Sequence, residues 1–299
     1  MRAINRDKII HRFSRDIPPV IEVDPGEEIL FEVLDTSSGK VKTSEDAADI
    51  ARTRNPEKVN PATGPVFVRG AEPGDTLVVD ILEIRLADRA FTRLLPGNGV
   101  LAGEVEAPRG RVVQVKDGWI EFGDGIRFPV RPMVGVIGTA PASGEISTAR
   151  PSDNGSNMDL LDVTMGARVY LPVSVPGALF ALGDVHASMG DGELSGVALE
   201  ANGEVLACVG LMKGERIARP WVERSDAWIT YGCSQSLEEA IRTATRDMVV
   251  LLGSRLGLDK ETAFMLVSAT GDLRIGQSAF IPDLGMTARV VMPKITREA

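Results

Sequence analysis

The run GDVHASMGDGE, residues 183–193, gathers Asp184, His186, Asp191 and Glu193 into a few positions. On a strand, residues two apart face the same side, so Asp184 and His186 project together. Gly190-Asp191-Gly192 then reads as a tight turn that returns Asp191 and Glu193 towards them. Four such side chains in one small volume suit a divalent cation. Carboxylate oxygens with one imidazole nitrogen fit Zn²⁺, whose catalytic sites keep a position open for water. A set richer in oxygen fits Ca²⁺ or Mn²⁺. Without a cation, clustered carboxylates repel and raise one another's pKa. The tripeptide alone carries no chemistry, because Gly-Asp-Gly recurs at 123–125 in EFGDGIRFP with no reactive neighbours. A histidine beside an aspartate is also more often a structural pair than a ligand. The combination is the informative feature.

Composition narrows the chemistry. The 299-residue chain carries a net charge of -9 and no clustered Lys/Arg, which argues against nucleic acid as a partner. Only His11 and His186 are available to any mechanism that needs imidazole, and His11 is expected to be exposed or structural. The two cysteines have neither disulfide-framework nor metal-ligand spacing. Cys208 sits in an apolar strand without a basic neighbour. Cys233 precedes a helix whose N-terminus could activate a thiolate, so it is the rival nucleophile. A Ser-Ser-Lys catalytic set would need a Gly/Ser-rich nucleophile region, which is missing, and a Ser-His-Asp triad would compete for His186. The opening MRAINRDKIIHRFSRD has no apolar stretch of signal-peptide type, and no window approaches a membrane span. These features predict a cytoplasmic protein.

The elements that must position these residues are mostly strands. Short β-branched runs such as EEILFEVLD, DTLVVDILEIRL and PMVGVIGTAP, punctuated by Gly and Pro, fill the first three-quarters of the chain. A Pro-Gly unit recurs in VDPGEEILFEVLD and AEPGDTLVVDILE, and more loosely in VPGALFALGD, where a type II turn would launch each strand. Asn202-Gly203 reads as a hairpin turn between ELSGVALE and VLACVGLM. From Ser236 the pattern changes. Ser236 with Glu239 forms a capping box ahead of an apolar stripe of Ile241, Ala244, Met248, Leu251 and Leu252, Gly257 ends that helix, and Asp259 caps a second. The predicted class is a β-rich α+β fold. A jelly-roll-like β-sandwich over 1–86 and 151–204 would carry the motif, with a small β-barrel insertion over 87–150 and an α/β part over 205–299.

The motif resembles the signature of the acetamidase/formamidase family, Asp-x-His-Ala-x-x-Gly-Asp-Gly-Glu, here Asp184, His186, Ala187, Gly190, Asp191, Gly192 and Glu193. RFSRDIPPVIEVDPGEEILFEVLDTSSG, VNPATGPVFVRGAEPGDTLVVDIL, RPMVGVIGTAP, NGSNMD and SATGDLRI are similar to further family segments, in the family's order. The resemblance implies hydrolysis of formamide or acetamide to acid and ammonia, a divalent metal (Zn²⁺ first, Ca²⁺ second) and a homo-oligomer, dimer or higher. Two positions depart from the family. Asn154 stands where its His-Gly-Gly-Asn-x-Asp segment has histidine, and Met189 where glutamine is common.

The expected roles follow. Asp184 and His186 ligate the metal, Asp191 completes the site or orients His186, and Glu193 is the general base, with a cross-strand partner as its alternative. Glu32 and Asp35, closing the first Pro-Gly strand, are further candidate ligands, against a solvated sheet edge. Asn157 and Asp159 lie in a turn-forming loop, and the resemblance tips Asn157 towards substrate or oxyanion contact. Met158, Trp221, Trp228 and Tyr231 are candidate pocket walls, although core packing is commoner for such residues. The alternatives are a hydrolase of a larger amide or cyclic imide, and a non-enzymatic Ca²⁺-binding β-sandwich module. His186 argues against the latter, because Ca²⁺ sites use oxygen.

Overall fold

Three Pro-Gly turns start three of the strands that carry the architecture in this computed structural model, which describes residues 2–53, 55–278 and 284–296. Gly26, Gly74 and Gly177 all have positive φ (95°, 98° and 74°) at the third position of their turns. The closing bonds run from Glu27 N–H to Asp24 O (3.2 Å), Asp75 N–H to Glu72 O (3.0 Å) and Ala178 N–H to Val175 O (3.1 Å). The recurring sequence unit is thus one turn used three times. It leads into the strands Glu27–Val33, Thr76–Leu94 and Phe180–Ser188.

These strands join one large, curled, mostly antiparallel sheet, and the fold is a β-rich α+β one. At its centre the long strand Leu199–Met212 lies between Glu27–Val33 and Thr76–Leu94. Phe180–Ser188 pairs with Met133–Gly138, with Ala62–Val68 and with the start of Leu199–Met212. The inner face is closed by residues such as Ile29, Phe31, Val79, Leu182 and Val205, all fully buried. Phe31 and Phe180 meet edge to face at 5.8 Å, and each such ring contributes roughly 1.5–3 kcal/mol by leaving water.

The segment expected to be a separate barrel continues the sheet. Arg109–Lys116, Trp119–Gly123 and Ile126–Pro129 form an antiparallel meander on the end of Thr76–Leu94, and Gly-Asp-Gly 123–125 turns its last hairpin. Residues 86 and 87 fall inside one strand, and so do 204 and 205. The sheet therefore runs unbroken across these two of the three expected boundaries.

Asn202-Gly203 is not a hairpin turn. It lies within Leu199–Met212, where the register shifts at Ala201/Gly203. A Cβ on Gly203 would lie 2.4 Å from Arg85 O, and Asn202 Oδ1 accepts the Asp35 N–H at 3.0 Å. The glycine admits a close backbone approach, as glycines inside strands commonly do.

Three helices cover the sheet among the described residues. The first, α1 (Ser44–Thr53), was not foreseen from the periodicity; Thr43 Oγ1 accepts the Asp46 N–H while Asp46 Oδ2 accepts the Thr43 N–H. Two such reciprocal bonds satisfy the first turn. The others, α2 (Leu237–Leu256) and α3 (Lys260–Thr270), are capped by Ser236 and Asp259, and Gly257 closes α2 in the left-handed region, as read from the sequence. Ala240, Ala244, Met248, Val249 and Leu252 face the sheet, against Tyr170, Trp221 and Trp228. No helix among the described residues is long and apolar enough to cross a membrane.

Candidate metal and catalytic centre

Asp184 and His186 lie on Phe180–Ser188 and are 2% and 1% exposed. The facing strand makes room for the acids with a glycine. A Cβ on Gly135 would lie 2.6 Å from Asp159 Oδ1 and 3.1 Å from Asp184 Oδ2. Asp159, Asp184 and Glu193 all have positive φ, at 47°, 56° and 41°. Left-handed non-glycine backbone costs on the order of 1 kcal/mol per residue and clusters at functional sites. Glu193 follows the Gly190–Gly192 turn, which is pinned by Gly192 N–H to Ile275 O (3.1 Å) and Gly276 O (2.9 Å).

A fifth group completes the cluster. Glu200, the partner of His186 across the antiparallel pair, is buried with Oε2 3.5 Å from His186 Nε2; Asp184 Oδ2 is 3.7 Å from the same nitrogen. One ligand atom from each of Asp159, Asp184 and His186 lies within 4.8 Å of the others, and the same holds for His186, Glu193 and Glu200. Glu200 was missed from sequence. Its signal was the meander itself, since the strand returning from the turn had to place one side chain opposite His186.

Hydrogen bonding leaves this cluster incomplete. Asp159 Oδ1, Asp184 Oδ1, His186 Nδ1 and Glu200 Oε2 are buried without a hydrogen-bond partner. A buried unsatisfied polar atom costs about 1–3 kcal/mol, more if charged. Burial pushes the Asp159 carboxyl well above its ordinary range, with repulsion from Glu193 and Asp184 adding to it. Burial likewise drives Glu200 well up and Glu193 to about 7, against the pull of His186 in each case. For His186 burial acts downward, but Glu200 and Asp184 outweigh it and hold the imidazole well above its usual value. An oxygen-rich donor set around one imidazole, carrying surplus negative charge and orphaned lone pairs, fits a divalent cation.

Asn157 and Asp159 join the centre through a directional relay. The Thr36 hydroxyl donates to Asn60 Oδ1, Asn60 Nδ2 to Asn157 Oδ1 (2.7 Å), and Asn157 Nδ2 to Asp159 Oδ2 (2.7 Å). Asn157 thus orients Asp159 and leaves its other oxygen towards the cluster.

The structure places the other expected residues elsewhere. Asp191 is bound by Arg289 Nη2 at 2.7 Å, away from His186, because the turn points it at the buried arginine. Glu32 is partly exposed and pairs with Arg6 at 3.1 Å. Asp35 is buried, but its Oδ1 accepts the Ser37 (2.8 Å) and Gly39 (3.0 Å) N–H groups and shapes a turn; burial raises its pKa against those bonds. Asn154 donates to Thr139 and Ser174, and Met189 is buried. His11 Nδ1 lies 3.3 Å from Val59 O, and His11 lines the same cavity as Asp184. Met158 is a core residue, Trp221 and Trp228 pack under α2, and Tyr231 donates to Ser152 O. None of these four lines the cavity.

That cavity, of about 910 Å³, is lined by Asp159, Asp184, Glu193 and Glu200, with Arg93 and Gln277 among its other lining residues. It is the size of a ligand pocket, and burial raises the pKa values of Asp159, Glu193 and Glu200 on its lining, a combination that marks functional sites.

The chain is similar in structure to an acetamidase from Bacillus halodurans (33% identity, TM-score 0.92, 97% of each chain covered). It is also similar to a predicted acetamidase/formamidase from the thermophile Thermoanaerobacter tengcongensis (38% identity, TM-score 0.92, 98% of this chain and 95% of that one). An acetamidase from Mycolicibacterium smegmatis is 28% identical over 275 residues, 68% of this chain and 66% of its own. Across the curated relatives it matches, the chain spans 61%, 66% and 64% of their length. The Acetamidase/Formamidase family profile matches residues 2–147 and 142–295, so the chain belongs to that family.

Proposed function

We propose that the protein hydrolyses short primary amides, formamide and acetamide among them, to carboxylate and ammonia at the cavity around His186. The observation that carries this is the set of buried, unpartnered carboxylate oxygens gathered on one imidazole, in a chain whose relatives are named acetamidase and formamidase. Asp159, Asp184 and His186 would hold a divalent ion, with Zn²⁺ the first choice and Ca²⁺ the second. When bound, such an ion polarises a carbonyl and lowers the pKa of water.

The chain's own groups do the rest. Glu193, partly open to the cavity, takes a proton from the attacking water and delivers it to the departing nitrogen. Hydroxide adds to the carbonyl carbon, the C–N bond breaks with its electron pair on nitrogen, and ammonia leaves with the delivered proton. Glu200 holds the imidazole against His186 Nε2, and Asn157 fixes Asp159.

A second reading keeps the chemistry and enlarges the substrate. Acetamide has four heavy atoms, and a cavity of about 910 Å³ has room for a larger amide or a cyclic imide. We also infer a homo-oligomer, supported by the exposed Val250, Phe264 and Met265 on α2 and α3. The test of the function is ammonia release from formamide, acetamide and a larger primary amide by protein of assayed metal content. Release from none of them contradicts the proposal.

A further inference from the structure

Gln277 lines the same cavity as the acids and is 1% exposed. Its backbone is fixed on both sides. The Gln277 N–H donates to Thr287 Oγ1 (2.8 Å), the Thr287 N–H donates to Gln277 O (3.0 Å), and Gln277 bridges to Gly192, the residue before Glu193. Its side-chain amide is oriented by one contact, Nε2 donating to Asn157 O at 2.9 Å. A carbonyl oxygen demands an N–H, so this bond settles which end of the amide is which. Oε1 is therefore the free end, and it is buried without a hydrogen-bond partner.

The surroundings restrict what can satisfy that acceptor. Among the cavity groups, the Asp159, Asp184, Glu193 and Glu200 carboxylates are acceptors when ionised, and Arg93 Nη1 donates to Ser37 Oγ at 3.1 Å. A ligand that carries an N–H can supply the missing donor. A primary carboxamide brings N–H donors on its nitrogen, whereas an ester of the same size brings none. Resting on the amidase reading above, we infer that Gln277 Oε1 accepts an N–H of the substrate carboxamide and so selects amides over isosteric esters. Its anchor, Asn157 O, belongs to the residue that orients Asp159, so the selecting group and the cluster share one rigid support. A site built around a buried hydrogen bond discriminates strongly against an analogue that leaves its partner unpaired.

The test compares one ligand with N–H and one without, in metal-loaded wild type and Gln277→Met, which keeps chain length and removes the acceptor. The readouts are kcat/KM for acetamide and the inhibition constant of methyl acetate competing against it. Gln277→Met should lower the acetamide kcat/KM by roughly tenfold to a hundredfold while leaving the ester's constant within about twofold. Equal losses for both ligands would show a structural role and overturn the inference, as would an unchanged acetamide kcat/KM. One arm does not depend on the folding of Gln277→Met: wild type should bind acetamide at least about tenfold more tightly than methyl acetate. Equal binding of the two by wild type overturns the inference. Wild type that releases ammonia from no amide contradicts the amidase reading, and this one with it; an active wild type without N–H selectivity contradicts this one alone.

Discussion

Arg289 Nη2 and Asp191 Oδ1 meet at 2.7 Å, and the same guanidinium binds Asp162 at 2.6 Å and Ile275 O at 3.2 Å. Arg289 is fully buried. The aspartate of Gly-Asp-Gly-Glu is thereby a tether. It fastens the turn to the strand Met286–Pro293, while Gly192 fastens it to Ile275, and Glu193 is left facing His186.

Removing the tether should cost stability first. Arg289→Met leaves Asp162 buried with one arginine fewer, and breaking a buried pair costs about 3–5 kcal/mol. Denaturant unfolding should show that loss. Asp191→Asn, which keeps a partner for Arg289 and removes a partly exposed charge, should lose about 1 kcal/mol or less and keep its metal content.

Glu200 should matter as much as the motif's own acids. Glu200→Gln removes the carboxylate 3.5 Å from His186 Nε2. We expect metal affinity to fall about tenfold to a hundredfold, the usual effect of losing a group that supports a ligand. Metal content after dialysis against a weak chelator checks this. Glu32→Gln, on the partly exposed Arg6 pair, should leave metal content unchanged.

The thiols should be dispensable. Burial pushes the Cys233 thiol up, against its bond with Tyr231, and Cys208 is raised by burial as well. A raised thiol carries less thiolate at neutral pH, so neither is an activated nucleophile. Incubation with N-ethylmaleimide, which carries no primary amide, should leave amidase activity intact at pH 7, and modification should speed up as pH rises. Rapid inactivation at pH 7 would restore the cysteine mechanism.

Asp75 should give the fold an acid-sensitive clamp. Burial acts to raise its pKa, but Lys213 Nζ and the Gly214 and Glu72 N–H groups outweigh it and hold the carboxyl below its ordinary range. A depressed folded-state value means stability that is complete above the unfolded pKa, near about 3.9, and is lost as pH falls through the folded value. Lys213 is exposed, so solvent and salt screen its share of that stabilisation. Asp75→Asn should cost about 1–2 kcal/mol at pH 7, mainly through the two backbone bonds. In urea titrations that gap should close below about pH 4.

The sequence was most legible where one local rule decides the outcome. The Pro-Gly turns, the Ser236 and Asp259 caps and the Gly257 stop depend on their neighbours alone, and all were readable. The strand alternation that put Asp184 beside His186 was readable as well. Long-range placement was less accessible. Asn202-Gly203 has the chemistry of a hairpin turn, yet tertiary pairing with Arg85 makes it a mid-strand irregularity. Asp191 looked like a ligand because its spacing was right, but Arg289, 98 positions away, claims it. Glu200 and Gln277 carry no motif, and only the folded sheet brings them to the cavity.

The central claim is that the carboxylates around His186 hold a divalent ion on which amide hydrolysis depends. The most direct measurement is ammonia release from formamide and acetamide by one preparation as purified, after complete stripping of metal, and after reloading with Zn²⁺ or Ca²⁺. The account predicts activity that disappears on stripping and returns with one of these ions, and a His186→Ala protein that neither binds the metal nor turns over. Full activity in metal-free protein, or undiminished turnover by His186→Ala, would contradict it.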